Sequence, residues 1–347
     1  NQIILNVFGH PKVLNSFNPH MLQGLVLSYQ NSFDSQDLTA QLLFGSIGAS
    51  GRIPVSTRNF FSGDGIDLQV ERDFEFVLPI EVGVNNDSLS KIDSIINISI
   101  KDKVMPGCQI VVARSGKIFY NKAFGYHTYD SIRPVLDVDL YDIASITKII
   151  SAAPIFMNLV DNRSIKLHRK LKNYTSISSP YPDKKNIKII DILTHQARLF
   201  PWIPFWKYFQ DNNELNESIF SNSISSKYDV KIVENLYFNS SYLDTIQDII
   251  LSYPLLDKKE YKYSDLGFYI MHPVVEKLLD SKIDKYVYEN LYHPIDAYRI
   301  VYNPTDKFPL SSIIPTENDT YFRNQLIHGY VHDQGASFFG GIGLHAG

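Results

Sequence analysis

The stretch Tyr141-Asp-Ile-Ala-Ser145-Ile-Thr-Lys148-Ile-Ile-Ser-Ala-Ala-Pro-Ile-Phe-Met-Asn-Leu-Val160 constrains the chain more than any other. Apolar residues at helical spacing, Ile146, Ile149, Ile150 and Ala153, predict a helix with an apolar strip along it. Ser145 and Lys148 stand three apart near its start, and that spacing puts both side chains on one face of the first turn. A serine hydroxyl is a weak nucleophile at neutral pH and needs a base beside it. A lysine fills that role when burial or a neighbouring cation holds it partly neutral. Backbone N–H groups at a helix N-terminus favour negative charge developing on an acyl oxygen. Ser-x-x-Lys by itself has little specificity: Ser88-Leu-Ser-Lys91 fits it too. It follows Asn85-Asn-Asp87 and precedes Ile92, Ile95 and Ile96, so Ser88 reads as a helix cap or first-turn residue.

The 347 residues are 44% hydrophobic and 20% charged, globular material for two domains or one large one. A net charge of −4 without a dense basic run excludes an electrostatic case for nucleic acid. The single cysteine, Cys108, excludes an internal disulfide and reads as a buried small hydrophobe. No apolar run is long enough to cross a bilayer, since Lys148, Asn158 and Asp161 interrupt the best candidate. The opening Asn-Gln-Ile-Ile-Leu, without Met, predicts that the start is internal to something longer.

Residues 1–58 read as α/β: Ile3–Phe8 and Leu25–Tyr29 as strands of buried type, then a helix from Ser35 to Phe44. Two strands and a helix cannot bury a core alone, so they suit the edge of a doubly wound sheet. Residues 59–86 read as a linker, with one strand at Phe74–Leu78. Asp64 and Asp67, beside glycines, read as local turn acceptors rather than as a catalytic pair. From Asp87 the pattern is a helix to Lys101, then a hairpin of Cys108–Ala113 and Lys117–Tyr120, the α+β order of an antiparallel sheet packed with helices.

Two family resemblances follow from particular strings. Asn6-Val-Phe-Gly-His-Pro11, Tyr29-Gln-Asn-Ser32 and Phe44-Gly-Ser-Ile-Gly-Ala-Ser-Gly-Arg-Ile-Pro-Val-Ser56 resemble the end of the C-terminal sandwich domain of family 3 glycoside hydrolases. That resemblance implies a glycosidase barrel ahead of residue 1, with its nucleophile there. Pro106-Gly-Cys-Gln-Ile-Val-Val-Ala113, Phe124-Gly-Tyr-His-Thr-Tyr-Asp130 and Ala144-Ser-Ile-Thr-Lys148 look like the serine β-lactamase, penicillin-binding protein and esterase superfamily, as fused behind such glycosidases in bacteria. Tyr261-Lys-Tyr263-Ser-Asp265-Leu-Gly-Phe-Tyr-Ile270 matches its Tyr-x-Asn/Asp element, which brings a phenol to the serine and lysine. A phenol with an ordinary pKa of about 10 needs a cation beside it to act as a base near neutrality, and Lys148 would supply that field.

Asp191-Ile-Leu-Thr-His-Gln196 matches a superfamily helix usually followed by Ser-Gly-Leu, where this chain has Ala197-Arg198-Leu199. His195 reads as a structural hydrogen-bonding residue, and Trp202 and Trp206 as either pocket wall or core. His328 and His332 have the spacing of a helical metal pair, but Gly329 and Val331 disfavour a helix, so zinc is rejected. Pro315-Thr-Glu317, Phe322-Arg323, Gly329-Tyr-Val-His-Asp333 and Gly340-Gly-Ile-Gly-Leu-His-Ala-Gly347 extend the resemblance. The third superfamily motif, His- or Lys-Thr-Gly on a strand carrying the second oxyanion N–H, is expected past Gly347.

The expected fold is therefore α/β then α+β. A remnant of a doubly wound sandwich (1–58) and a linker (59–86) precede a β-lactamase-like domain (87–347) that is incomplete at its C-terminus. The resemblance implies acyl transfer with Ser145 as nucleophile, Lys148 and Tyr263 as base and relay, Asp265 in support, and Trp202 and Trp206 as candidate substrate contacts. The chemistry needs no metal or organic cofactor. Cell-wall peptides, esters or β-lactams are the implied substrates, and the periplasm or cell envelope the implied place. The alternatives are a glycosidase whose activity lies in the barrel, and a catalytically inactive binding module.

Overall fold

A computed structural model describes residues 3–16, 18, 21–45, 47–69, 75–175, 181–212 and 214–347. The chain divides into two compact units, residues 1–98 with 109–122, and residues 99–108 with 123–347.

In the first unit, β1 (Ile4–Val7) and β2 (Gly24–Leu27) pair in parallel, Ile4 opposite Gly24 and Val7 opposite Leu27. Val7 packs with Leu14 and Ile53, while Ile3 and Ile4 are exposed. The buried-strand expectation for Ile3–Phe8 thus fails at its first residues, because a two-stranded sheet has little area with which to cover both faces. The helix α1 (Phe33–Leu43) starts two residues before Ser35, since Ser32 Oγ accepts the Ser35 N–H at 3.2 Å and caps it. Asp64 accepts the Phe61 N–H, the local role expected of it, whereas Asp67 forms an ion pair with Arg52, fifteen residues away.

Strand β3 (Glu75–Phe76) covers part of the expected run, whose Phe74 lies outside the described residues. The helix α2 (Asn86–Lys101) follows, with Asn85 Oδ1 accepting the Asp87 N–H, so Ser88 is a first-turn residue. β4 (Gly107–Arg114) and β5 (Lys117–Gly125) complete a sheet ordered β3-β5-β4. Ser115 and Gly116 between them both have positive φ, +53° and +76°, as a tight primed turn requires.

The second unit holds the large core. The Ser145 stretch winds as a 3-10 turn (Ala144–Ile146), a π-helical turn (Lys148–Ala152) and the helix α3 (Ala153–Asp161). Lys148, Ser151, Ala152, Ile155, Phe156 and Leu159 form its buried face, whereas Ile146 and Ile149 are 57% and 69% exposed. The apolar strip is thus split: Ile146 and Ile149 turn outward and Ile150 and Ala153 are half-buried, while the inward face carries Lys148 to the serine. α4 (Ile189–Leu193) ends near His195.

Two hairpin strands, β6 (Gln210–Asp211) and β7 (Glu214–Leu215), precede an antiparallel sheet ordered β8-β10-β9, from β8 (Phe220–Ser221), β9 (Val230–Val233) and β10 (Leu236–Phe238). Phe209, Phe220, Phe238, Phe322 and Phe338 cluster in this core through edge-to-face and tilted ring contacts. α5 (Leu243–Ser252) and α6 (Leu266–Leu279) follow, and the first half of α6 is buried on every side from Leu266 to His272. Gly267 lets α6 approach α4, since a Cβ there would lie 2.5 Å from Ile192. α7 (Ile283–Val287), the antiparallel pair β11 (Glu317–Asp319) and β12 (Gln325–Ile327), and the short α8 (Gln334–Ser337) complete the unit.

Candidate active site

Ser145 is exposed at the head of its helix, on a backbone that is bent to put it there. Ala144 has φ +48°, a left-handed conformation that costs a non-glycine residue about 1–3 kcal/mol and persists only where the surroundings enforce it. Asp142 Oδ1 accepts the Ala144 N–H at 2.7 Å, closing the turn.

One turn on, Lys148 is only 8% exposed and its Nζ donates to Ser145 Oγ at 2.9 Å. The same amine donates to the His345 carbonyl at 3.2 Å and lies 2.6 Å from Asp265 Oδ1, an ion pair off the hydrogen-bond axis. The Tyr263 hydroxyl donates to Ser145 Oγ at 2.7 Å, across 118 residues of sequence. Lys148 Nζ is 5.0 Å from the centre of the Tyr263 ring, a separation at which a cation interacts with the ring face.

His195 lies against the other side of that phenol, ring centres 4.3 Å apart and planes 26° apart. Its Nδ1 faces the Ser264 N–H at 3.2 Å and the Ser264 carbonyl at 3.1 Å. Burial holds its pKa below the ordinary value, and the Lys148 charge adds to that against the opposing pull of Ser264 and Asp265. The structural role expected for His195 therefore takes a definite form, a neutral ring stacked on Tyr263.

Trp202 is 48% exposed beside Pro201, whose carbonyl accepts the Asp265 N–H at 3.3 Å. Of the two expectations for Trp206, pocket wall or core, its burial fits the core: it is 8% exposed, stacked on Phe322 and tilted against Tyr321. Arg198, where the superfamily pattern has glycine, takes φ +64° and donates from Nε to the Leu256 carbonyl. Cys108 is half-buried, and burial raises its thiol pKa. His328 bonds the Ile313 carbonyl and His332 the Asp142 carboxylate, and no cluster of three or more metal-binding side chains occurs among the described residues.

A profile of the Beta-lactamase family matches residues 92–318, well over half of the sequence. The chain belongs to the Beta-lactamase family. Among curated relatives of this Beta-lactamase-family chain is a "Putative D-alanyl-D-alanine carboxypeptidase" of Salmonella agona, 28% identical over 293 residues, which are 78% of this chain and 62% of that protein. Its counterpart in Salmonella typhimurium is 28% identical over 294 residues with the same coverage. The chain thus spans 62% of the length of these relatives. The octameric penicillin-binding protein homologue of Pyrococcus abyssi shares the fold, with a TM-score of 0.54 at 18% identity over 75% of this chain and 52% of that one.

The Beta-lactamase-family chain brings Ser145, Lys148, Tyr263 and Asp265 into one cluster. Sequence reasoning missed the groups behind them: Asp142, His332, Asp333 and the His345 carbonyl. Local signals existed for two, since Asp142 is placed to cap the turn into Ser145 and Asp333 caps α8 by accepting the Ala336 N–H at 2.7 Å.

Proposed function

We propose that this Beta-lactamase-family chain is a serine hydrolase that works by acyl transfer. The observation that carries the reading is convergence on one atom, Ser145 Oγ, 2.9 Å from the Lys148 amine and 2.7 Å from the Tyr263 hydroxyl. In the reactive form the pair carries one proton fewer: the Tyr263 oxygen, as phenolate beside the Lys148 cation, takes the Ser145 proton as Oγ bonds the carbonyl carbon, and returns it to the leaving group as the bond to that group breaks. Water then attacks the acyl-serine ester and frees the acid, restoring the serine. Lys148 keeps a cation beside the phenol, and Asp265 orients the amine. Trp202, half-exposed near Asp265, serves substrate binding. The names of the Salmonella relatives favour a peptide ending in D-alanyl-D-alanine, with β-lactams and esters as chemically related acyl donors.

The domain reading goes with this proposal: the hydrolase domain spans 87–347, preceded by a linker (59–86) and by the end of a family 3 glycoside hydrolase sandwich (1–58). The match over 92–318 supports the first, and the parallel pair β1-β2 followed by α1 supports the last. Chromogenic glycosides assayed with any upstream barrel test that part.

A fluorescent penicillin and a fluorophosphonate test the hydrolase. Ser145→Ala abolishes covalent labelling, and Tyr263→Phe slows it by about 10²- to 10⁴-fold, the usual worth of a positioned proton-transfer group. Equal labelling of the parent and Ser145→Ala proteins defeats the proposal.

A further inference from the structure

We infer that the dipeptide His332-Asp333 is a brace for the reaction proposed above, one residue holding the serine in place and the next holding the lysine. The inference rests on the acyl-transfer reading for its chemistry and on hydrogen bonds for its geometry.

On the serine side, Asp142 Oδ1 fixes the Ala144 N–H at 2.7 Å, immediately before Ser145. The other oxygen, Oδ2, accepts the backbone N–H of His332 and its Nδ1–H, each at 2.8 Å. His332 thus supplies two of the three donors that Asp142 gathers, across 190 residues of sequence. The left-handed Ala144 needs such enforcement, and the Asp142 side chain is 9% exposed, so a carboxylate without these donors would not stay where it is.

On the lysine side, Asp333 Oδ1 accepts from the Tyr269 hydroxyl at 2.7 Å, the Ala336 N–H at 2.7 Å and His345 Nε2 at 3.2 Å. The His345 carbonyl is a direct acceptor of the Lys148 amine. Tyr269 lies one turn after Asp265 on the same chain segment, so Asp333 reaches the two partners of Lys148 other than Ser145, one through His345 and one through α6. Gly335 leaves room for this, since a Cβ there would run into the Tyr269 hydroxyl. The dipeptide is itself held from behind: Arg323 donates to the Val331 carbonyl at 2.7 Å and to the His332 carbonyl at 2.8 Å. The hydrogen bonds of His332 and Asp333 go to Asp142, Tyr269, Ala336 and His345 and not to Ser145, so both are positioning residues. Their effect is leverage, because small misplacements of reacting groups slow chemistry far more than they weaken binding.

The test compares His332→Phe and His332→Asn with the parent by fluorophosphonate labelling and by amide hydrogen exchange. His332→Phe slows labelling by about 100-fold at saturating probe with half-saturation unchanged. In the same variant, exchange at Ala144, Ser145 and Ile146 accelerates while that of Met271, His272, Val274 and Val275 in α6 does not. His332→Asn, which keeps a side-chain N–H, recovers most of both. The brace is overturned if His332→Phe labels at the parent rate, if exchange at 144–146 is unchanged, or if His332→Asn is no better than His332→Phe. A parent protein that takes no probe defeats the acyl-transfer reading alone, and the exchange measurement still decides the brace.

Discussion

Two histidines near the serine have pKa values displaced in opposite directions, and the displacement makes a pH signature. His332 is pushed down by burial, but the Asp142 hydrogen bond and the charges of Asp142, Asp333 and Glu317 outweigh that and raise it. Asp142 is likewise pushed up by burial, and the His332 bond and charge with two backbone N–H groups hold it below the usual carboxylate value. A raised histidine stabilises the fold fully below its unfolded value of about 6.5 and loses that contribution as pH climbs through its folded value. A lowered carboxyl contributes above about 3.9 and loses its effect as pH falls through its folded value. The pair therefore contributes most between about pH 4 and 6.5. His195, lowered by burial, behaves oppositely: the unfolded chain binds the proton better, so acid below about 6.5 weakens the fold. Melting temperatures measured across pH are expected to show a shallower alkaline decline in His332→Asn and a shallower acid decline in His195→Phe.

At the scale of elements, the serine helix carries its function by inverting the usual amphipathic rule. Lys148 and Ser151 share the buried side with Ile155, Phe156 and Leu159, and Ile149 faces out. Leu159→Ala is accordingly expected to lower unfolding free energy by about 2–5 kcal/mol, and Ile149→Ala by less than about 0.5 kcal/mol, in urea titrations. The turn after α4 offers a second measurement. Arg198 sits at φ +64° and is tied to the Leu256 carbonyl by its guanidinium. Arg198→Ala keeps the strain and removes the tie, so it costs about 1 kcal/mol. Arg198→Gly recovers roughly that much by relaxing the backbone. β11 and β12 are held by Arg323, whose side chain is fully buried between Asp319 at 2.7 Å and Glu317 at 2.8 Å. Arg323→Leu leaves the buried Asp319 carboxylate uncompensated and is expected to cost about 3–5 kcal/mol, again read by urea titration.

For the whole molecule, the two units differ in what holds them. The core of the first around Val7, Leu14 and Ile53 is small, while the second has one continuous core from Ala152 to Leu344. Both tryptophans, Trp202 and Trp206, belong to the second unit. Far-UV circular dichroism is therefore expected to begin its loss at lower urea than tryptophan fluorescence, and coincident transitions would contradict this. Read without coordinates, the chain already showed the helix at Ser145, the Tyr263 string, the strands near Ile4 and Leu25, and the glycine missing at Arg198, because each is written in neighbouring residues. Its periodicity did not tell that Ile146 and Ile149 face out, since hydrophobicity along a sequence reports what a side chain prefers and not which face the rest of the fold covers. The change from 3-10 to π to α winding also shifts the angles that such a reading assumes. Tertiary structure alone decided that Trp206 is core, that His195 stacks on a phenol, and that Asp142 meets His332. Those contacts join residues far apart in the chain, and only chain closure sets their distances.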